Sequence, residues 1–244
     1  MPEPWYSTLT YLNLQDQIGI GRFTSFIPRT NFKVTELDAY RLAQDLRHNL
    51  GLGTVPVADV IPHLEIRGIR IFFTKLLPYG IKAKGYFDEQ EHSYLFALSE
   101  TATTEGQVYE LAAELAYMFL FERNACRPVP YTNAVGVFVR AFAGCFLMPQ
   151  ETLIDYVNQL AISPDAWTFE LVCALKWRFG VSAHAFIYRL VAGNLISGKR
   201  FKAIKEQIHD YYKENPDALE PKPAPRLRRD TWISTLKARA SSIP

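Results

Sequence analysis

The sequence has few of the features that cross-link a protein or anchor it in a membrane. Its three cysteines, Cys126, Cys145 and Cys173, form neither a metal-ligand pair nor an even disulfide set. The longest apolar run, around Leu111–Phe121, is interrupted by Glu114 and falls short of the roughly 18–20 residues that span a bilayer. The N-terminus lacks the basic and apolar regions of a secretory signal. These absences favour a soluble, cytoplasmic protein without a membrane partner.

The composition is that of a globular protein. Of the 244 residues, 48% are hydrophobic and 21% are charged, which excludes a disordered or fibrous chain. The formal net charge is only +2, but basic residues outnumber acidic ones from Lys199 onward. A basic end of this kind can contact nucleic acid or an acidic partner, although it is more often a solvated surface.

Patterns along the chain predict an α+β fold in four parts. Residues 1–34 are aromatic and polar without a clear period, and we interpret them as an N-terminal arm. Residues 35–160 are predicted to form a domain in which a small antiparallel sheet packs on helices. Residues 161–213 form a predicted helical module, and residues 214–244 form a proline-rich, basic tail with little capacity to form a core.

Hydrophobic periodicity and capping residues place the elements of the predicted domain. Thr35 and Asp38 form a capping box, in which both side chains satisfy backbone N–H groups at the start of a helix. The predicted elements are a helix from Thr35 to about Asn49, a short helix over Val57–His63, strands over Gly68–Thr74, Lys82–Phe87 and Tyr94–Leu98, and long helices over Thr103–Arg123 and Asn133–Leu147. Both long helices are apolar over most of their surface, so they are predicted to be buried.

The helical module contains a pair of helices that resembles a helix-turn-helix. They are predicted over Pro164–Phe179 and Ala183–Ala192, and Ser182 is a plausible N-cap for the second. A helix that reads DNA presents polar and basic side chains to base edges. The second helix offers few of them, so we favour a packed helical pair over a DNA-binding one. The residues that could read bases are His184, Tyr188 and Arg189.

One helix carries an unusual polar stripe. Glu110, Ala113, Glu114 and Tyr117 fall at positions i, i+3, i+4 and i+7, which share one face of a helix. Two carboxylates and a phenol on an otherwise apolar helix need an explanation. They face a polar groove or pair with an arginine such as Arg140, or they are what remains of a catalytic motif.

The residues and the order of elements resemble the ImmA/IrrE family of zinc-dependent endopeptidases, from about Leu37 to Arg229. The resemblance implies a zincin-like metallopeptidase fold for residues 35–160, followed by a helical module. Its motifs are Leu50-Gly51-Leu52-Gly53, Arg67-Gly68-Ile69-Arg70-Ile71, Gly85-Tyr86-Phe87, Leu111-Ala112-x-Glu114-Leu115, Phe142–Pro149 and Phe179-Gly180-Val181-Ser182.

The sequence departs from the family at the metal ligands. In the family this helix carries H-E-x-x-H, whose histidines bind zinc and whose glutamate is the general base. Here Ala113 and Tyr117 stand at the histidine positions, Glu114 keeps the general-base position, and Phe138 aligns with the third ligand, a carboxylate. No Asp, Glu or His lies between Val135 and Phe146, so a shifted alignment supplies no ligand. We therefore predict a degenerate site without metal or cofactor, in which Glu114 is a remnant.

The resemblance also implies a class of partner. Active relatives cleave helix-turn-helix repressors, often in bacterial or phage regulatory circuits. We therefore predict a catalytically inactive pseudopeptidase that regulates by binding such a repressor or a similar protein. The expected groove is lined by Glu110, Glu114, Tyr117 and Arg140.

Two alternatives stay open at this point. The first is an active zinc endopeptidase with unconventional ligands that cleaves a repressor. The second is a DNA-binding regulator that uses the C-terminal helical pair and the basic tail, although nucleic acid is only weakly supported as a partner.

Overall fold

The computed structural model describes residues 33–57, 59–67, 69–77, 79–88, 93–100, 102–123 and 131–214. The predicted N-terminal arm, apart from its last two residues, and the tail after Glu214 lie outside the described residues. Within these ranges the chain forms eight α-helices and three β-strands. They are α1 Glu36–Asn49, α2 Ile61–Ile66, β1 Arg70–Thr74, β2 Ala83–Asp88, β3 Ser93–Ser99, α3 Thr104–Arg123, α4 Asn133–Leu147, α5 Gln150–Gln159, α6 Phe169–Leu175, α7 Ala183–Ala192 and α8 Gly198–Glu214.

The sheet confirms the α+β class but is mixed rather than wholly antiparallel. The strand order is β1-β3-β2; β2 and β3 pair antiparallel, whereas β1 pairs parallel with β3. The expectation of an antiparallel sheet was therefore wrong for β1. Chain direction reverses at each connection, so β1 and β3 point the same way. Because β3 occupies the centre, β1 has a parallel neighbour and β2 is left at an edge.

Capping residues account for where the helices begin. The Thr35 hydroxyl accepts the Asp38 N–H, and the Ser182 hydroxyl accepts the Ala185 N–H, as predicted for α1 and α7. Two helices start later than predicted, because other residues hold their first N–H groups. The Asp59 carboxylate accepts the N–H of Ile61 at 3.1 Å, and the Thr168 hydroxyl accepts that of Leu171 at 3.2 Å.

The core is built around α4, which packs against both α1 and α3. Phe138, Phe142 and Phe146 of this helix are completely buried. The ring of Phe142 lies 5.9 Å from that of Phe146 and 5.5 Å from that of Phe119 on α3. Burial of each ring stabilises the fold by about 1.5–3 kcal/mol. Since α3 also packs on β2 and β3, it connects this aromatic core to the sheet.

No single helix in the described part of the chain is long and apolar enough to cross a membrane. The pair Asn133–Leu147 and Gln150–Gln159, bent by 57°, passes such a test by length and composition alone. Ten residues of α4 are buried within the fold, which is a sufficient reason for its apolar sequence.

A buried arginine ties the end of α1 to the end of α4. Arg47 donates from Nε to the carbonyl of Gly53 at 2.8 Å and from Nη1 to that of Phe146 at 2.7 Å, and its Nη2 donates to the carbonyl of Val55. Burial lowers the pKa of Arg47 to about 10, so the guanidinium stays charged at neutral pH. Three carbonyls depend on this one side chain.

Replacing Arg47 with alanine should lower the free energy of unfolding by about 3–5 kcal/mol, because buried carbonyls lose a charged donor. The control is Arg41→Ala on the same helix, whose side chain is exposed and pairs with Asp38 one turn away. Urea denaturation measures both variants. Equal stabilities for the two would show that the buried guanidinium does not hold the helices together.

Candidate functional site

The positions that align with zinc ligands are part of the hydrophobic packing. Ala113 on α3 is buried, and Phe138 on α4 is completely buried in the same core cluster. Tyr117 is half-buried and packs against that cluster. Apolar contacts therefore surround the three positions that the sequence predicts to align with the zinc ligands.

Glu114 points from α3 to the outer edge of β2. Its Oε2 accepts the backbone N–H of Gly85 at 2.7 Å, and its Oε1 lies 3.6 Å from the Lys84 ammonium. The glutamate side chain is only 12% exposed. Both carboxylate oxygens thus have partners within the protein.

The register of the sheet explains why the Gly85 N–H is available. The N–H of Ser99 donates to the carbonyl of Lys82, so alternate residues of β2 from that point bond to β3. Ala83 and Gly85 fall between them, and their backbone groups point away from β3. Within the described residues no strand pairs with this edge. The Glu114 carboxylate accepts one of the outward N–H groups of this edge, that of Gly85.

Only glycine fits at position 85. A Cβ atom there would lie 2.9 Å from Cε1 of Phe96 and 3.0 Å from Oε2 of Glu114. Phe96 is completely buried, so it has little room to move. The contact between α3 and β2 therefore depends on the absence of a side chain.

The environment of the site favours neutral side chains. Burial raises the pKa of Glu114, and the hydrogen bond from Gly85 and the charge of Lys84 oppose that effect. Burial also raises the pKa of Tyr117, and the negative charges of Glu114 and Glu110 add to the rise. The Tyr117 phenol accordingly keeps its proton at neutral pH.

The donor set at these positions does not fit zinc. Zinc ligands in proteins are thiolates, imidazoles and carboxylates, and Ala113 and Phe138 supply none of these groups. A protonated phenol at Tyr117 is a poor ligand. Among the residues that the structure describes, no group of three or more His, Cys, Asp and Glu side chains could hold a metal ion.

The predicted groove is divided between two places. Glu110 and Arg140 line a cavity of about 930 Å³, whereas Glu114 and Tyr117 are not part of its lining. Glu114 instead closes part of the β2 edge. Tyr117 lies close enough to Glu110, Glu114 and Arg140 for their charges to affect its pKa.

The second helix of the pair does not present its arginine outward. Arg189 on α7 is buried, and its Nε donates to the carbonyl of Met148 at 3.0 Å. His184 stacks on Tyr212 of α8 at 6.4 Å. Of the three residues that could read bases, Tyr188 alone is exposed. A packed pair, as favoured from the sequence, accounts for these contacts.

Sequence reasoning missed two contributors to the site. Gly85 was noted only as part of a motif, and its role follows from the outward N–H that the strand register gives it. Arg189 was considered as a reader of DNA. Its apolar neighbours Phe186, Ile187 and Leu190 were the signal that this helix is buried on several sides.

A comparison with family models identifies the architecture. The model of the IrrE N-terminal-like domain, of peptidase family M78, matches residues 64–191, which is more than half of the chain. The chain belongs to the IrrE N-terminal-like family. The family resemblance inferred from the motifs is thereby confirmed, together with the zincin-like α+β fold that it implies.

Among solved structures, the chain is similar to a Mycobacterium tuberculosis transcriptional regulator at 20% identity and a TM-score of 0.44. The match covers 63% of this chain and 46% of that one, so it spans less than half of the regulator's length. At this level of similarity it carries no argument about function. A search of curated proteins found no match.

The raised pKa of Glu114 predicts a pH-dependent effect of Glu114→Gln, which keeps an oxygen for the Gly85 N–H. Burial disfavours the ionised carboxylate in the folded state. The free energy of unfolding of the wild type therefore falls as the pH rises from 4.5, the ordinary pKa of a glutamate, through the raised pKa of Glu114. The variant should therefore gain stability over the wild type at neutral pH and lose that advantage below about pH 4.5. Urea unfolding between about pH 4 and pH 8 measures this, with Glu206→Gln at an exposed position of α8 as the control. A difference that does not change with pH would contradict the assignment.

Gly85→Ala should lower the free energy of unfolding by about 1–3 kcal/mol, because the new methyl group meets Phe96 and Glu114. Gly198→Ala is the matched control, since a Cβ there meets no atom within 4 Å. Thermal and urea unfolding measure both. The close packing of α3 on β2 would be refuted if Gly85→Ala were as stable as the control.

Proposed function

We propose that this member of the IrrE N-terminal-like family is a pseudopeptidase, which binds a segment of a regulatory protein without cleaving it. The observation that carries the proposal is the apolar packing of Ala113 and Phe138 at positions of the zinc ligands. Without zinc, a glutamate at position 114 has no metal-bound water to deprotonate. Its carboxylate is instead engaged by Gly85 and Lys84.

The outer edge of β2 supports a binding role. Extended peptides commonly bind by adding a strand to an exposed sheet edge, where backbone hydrogen bonds provide affinity. The register directs the carbonyl of Gly85 and the N–H and carbonyl of Phe87 away from β3, so this edge has groups for such a strand; Ala83 has the same orientation but is buried. Glu114 keeps the N–H of Gly85 satisfied whether or not a partner is bound.

We further propose that the partner is a helix-turn-helix repressor or a similar regulator, because active relatives act on such proteins. The proposed complex would form in the cytoplasm, as the sequence predicts. No contact in the described residues favours the alternative of DNA binding by α7, since Arg189 is buried and bonded to Met148.

The test is to titrate the purified chain with helix-turn-helix repressors from the same genome. Calorimetry measures binding, and mass spectrometry after prolonged incubation with zinc detects cleavage. We expect a complex with an intact repressor. Cleavage that a chelator abolishes would instead establish the zinc endopeptidase alternative.

A variant of the β2 edge tests where the partner binds. Phe87→Pro removes one outward N–H of the edge strand without breaking a hydrogen bond to β3, and proline is tolerated at such positions. It should weaken binding tenfold or more, whereas Arg41→Ala on α1 should leave binding unchanged. Thermal unfolding checks that both variants fold. Equal affinity for the two variants would place the partner elsewhere.

A further inference from the structure

A large cavity lies apart from the Glu114 site. Its volume is about 930 Å³, and its walls come from α1, α3 and α4 together with α7 and α8. Cavities of this size in other proteins hold small organic molecules. Neither Glu114, Tyr117 nor Phe138 belongs to its lining, so it is separate from the former catalytic positions.

Aromatic rings and small residues shape the cavity. Tyr40, Tyr109, Tyr188 and Tyr212 line it, and Tyr212 stacks on His184 with an angle of 21° between the rings. Small side chains leave the space open between these rings: Ala141, Ala185 and Ala192. A flat apolar group fits such surroundings.

A buried cation at one wall lacks a full set of partners. Arg189 is only 3% exposed; its Nε donates to Met148, and its Nη2 has no hydrogen-bond partner in the described part of the chain. The guanidinium lies 5.2 Å from the ring centre of Tyr40, which also lines the cavity. A buried guanidinium with an unused N–H is destabilising unless an anion or acceptor joins it.

Other charges in the lining add to this preference. Lys82 and Arg140 also line the cavity, and no carboxylate among the described residues forms a salt bridge with them. The first turns of α3 and α7 contribute Gly106 and Ala185 to the wall. The N–H groups of Gly106 and Ala185 are capped by the hydroxyls of Thr103 and Ser182, so the contribution of these helix ends is their dipole, whose positive end favours a negative charge nearby.

Three carboxylates in the same lining limit the charge of a ligand. Glu36 accepts the Tyr40 hydroxyl at 2.5 Å, and Glu105 is buried with contacts of its own. Glu110 also lines the cavity. These carboxylates would repel a multiply charged anion, whereas a single carboxylate matches the fork of an arginine.

We propose that this cavity binds a small aromatic monocarboxylate, with its carboxylate on Arg189 and its ring among the tyrosines. The site is separate from the β2 edge at which the partner is proposed to bind, because the residues of that edge do not line it. A ligand there would contact α7 and α8 as well as α1, α3 and α4.

The experiment titrates the full chain with phenylacetate, cinnamate and indoleacetate, and with the primary amides of the same acids. Calorimetry should give a Kd below about 1 mM for at least one acid. The Kd of the corresponding amide should be at least about tenfold higher. The same acid should raise the melting temperature, because it binds only the folded state. Failure of all three acids to bind, or equal affinity for an amide, would overturn the proposal.

Variants locate the site. Ala141→Leu adds volume inside the cavity without changing a charge, so it should abolish binding, whereas Arg41→Gln on the outside of α1 should not change it. Arg189→Gln should remove the preference for the acid over its amide. If Arg189→Gln does not fold, Arg140→Gln serves instead, with an expected loss of severalfold in affinity for the acid. Binding that Ala141→Leu leaves intact would show that the ligand sits elsewhere.

Discussion

The contact between α3 and the edge of β2 determines what the candidate site can do. An outward N–H of an edge strand needs an acceptor, and the Glu114 carboxylate provides one at 2.7 Å. That arrangement requires glycine at position 85, because any Cβ would collide with Phe96 and with the carboxylate itself. Glu114 thus joins the helix to the sheet. A side chain at the general-base position has a structural role here that does not depend on a metal.

The rest of the site is consistent with that role. Metal binding stabilises a fold that is built around it, so a chain that loses its ligands needs other stabilisation. Here Phe138 is completely buried between helices, and its neighbours on α4 form an aromatic cluster with Phe119. In the proposed pseudopeptidase, hydrophobic packing of this kind takes the place of metal contacts with apolar volume. Helices of the same core also border the cavity, which is lined by Glu110, Arg189 and the tyrosines.

Much of this architecture could be predicted from local chemistry. Thr35 and Ser182 marked the starts of α1 and α7 because their hydroxyls accept specific N–H groups. The spacing of Ala113, Glu114 and Tyr117 places them on one face of α3, and their assignment to ligand and general-base positions stays a prediction from the family motif. The order of the strands was harder to predict, because periodicity reveals a strand but not which strand pairs with it. The predicted antiparallel sheet was therefore wrong for β1, which pairs parallel with β3. The apolar neighbours of Arg189 on α7 indicated a buried helix, but the burial of the arginine itself depends on packing by α4 and α8, which local sequence does not reveal.

The most direct measurement is the zinc content of the purified chain, by elemental analysis after zinc is offered and excess zinc removed. A family member with an intact H-E-x-x-H motif, handled in parallel, provides the control and should hold about one equivalent. Our account predicts less than about a tenth of an equivalent for this chain, because Ala113, Tyr117 and Phe138 supply no ligands. One tightly bound equivalent of zinc would contradict the account and restore the alternative of a zinc endopeptidase in which Glu114 is the general base.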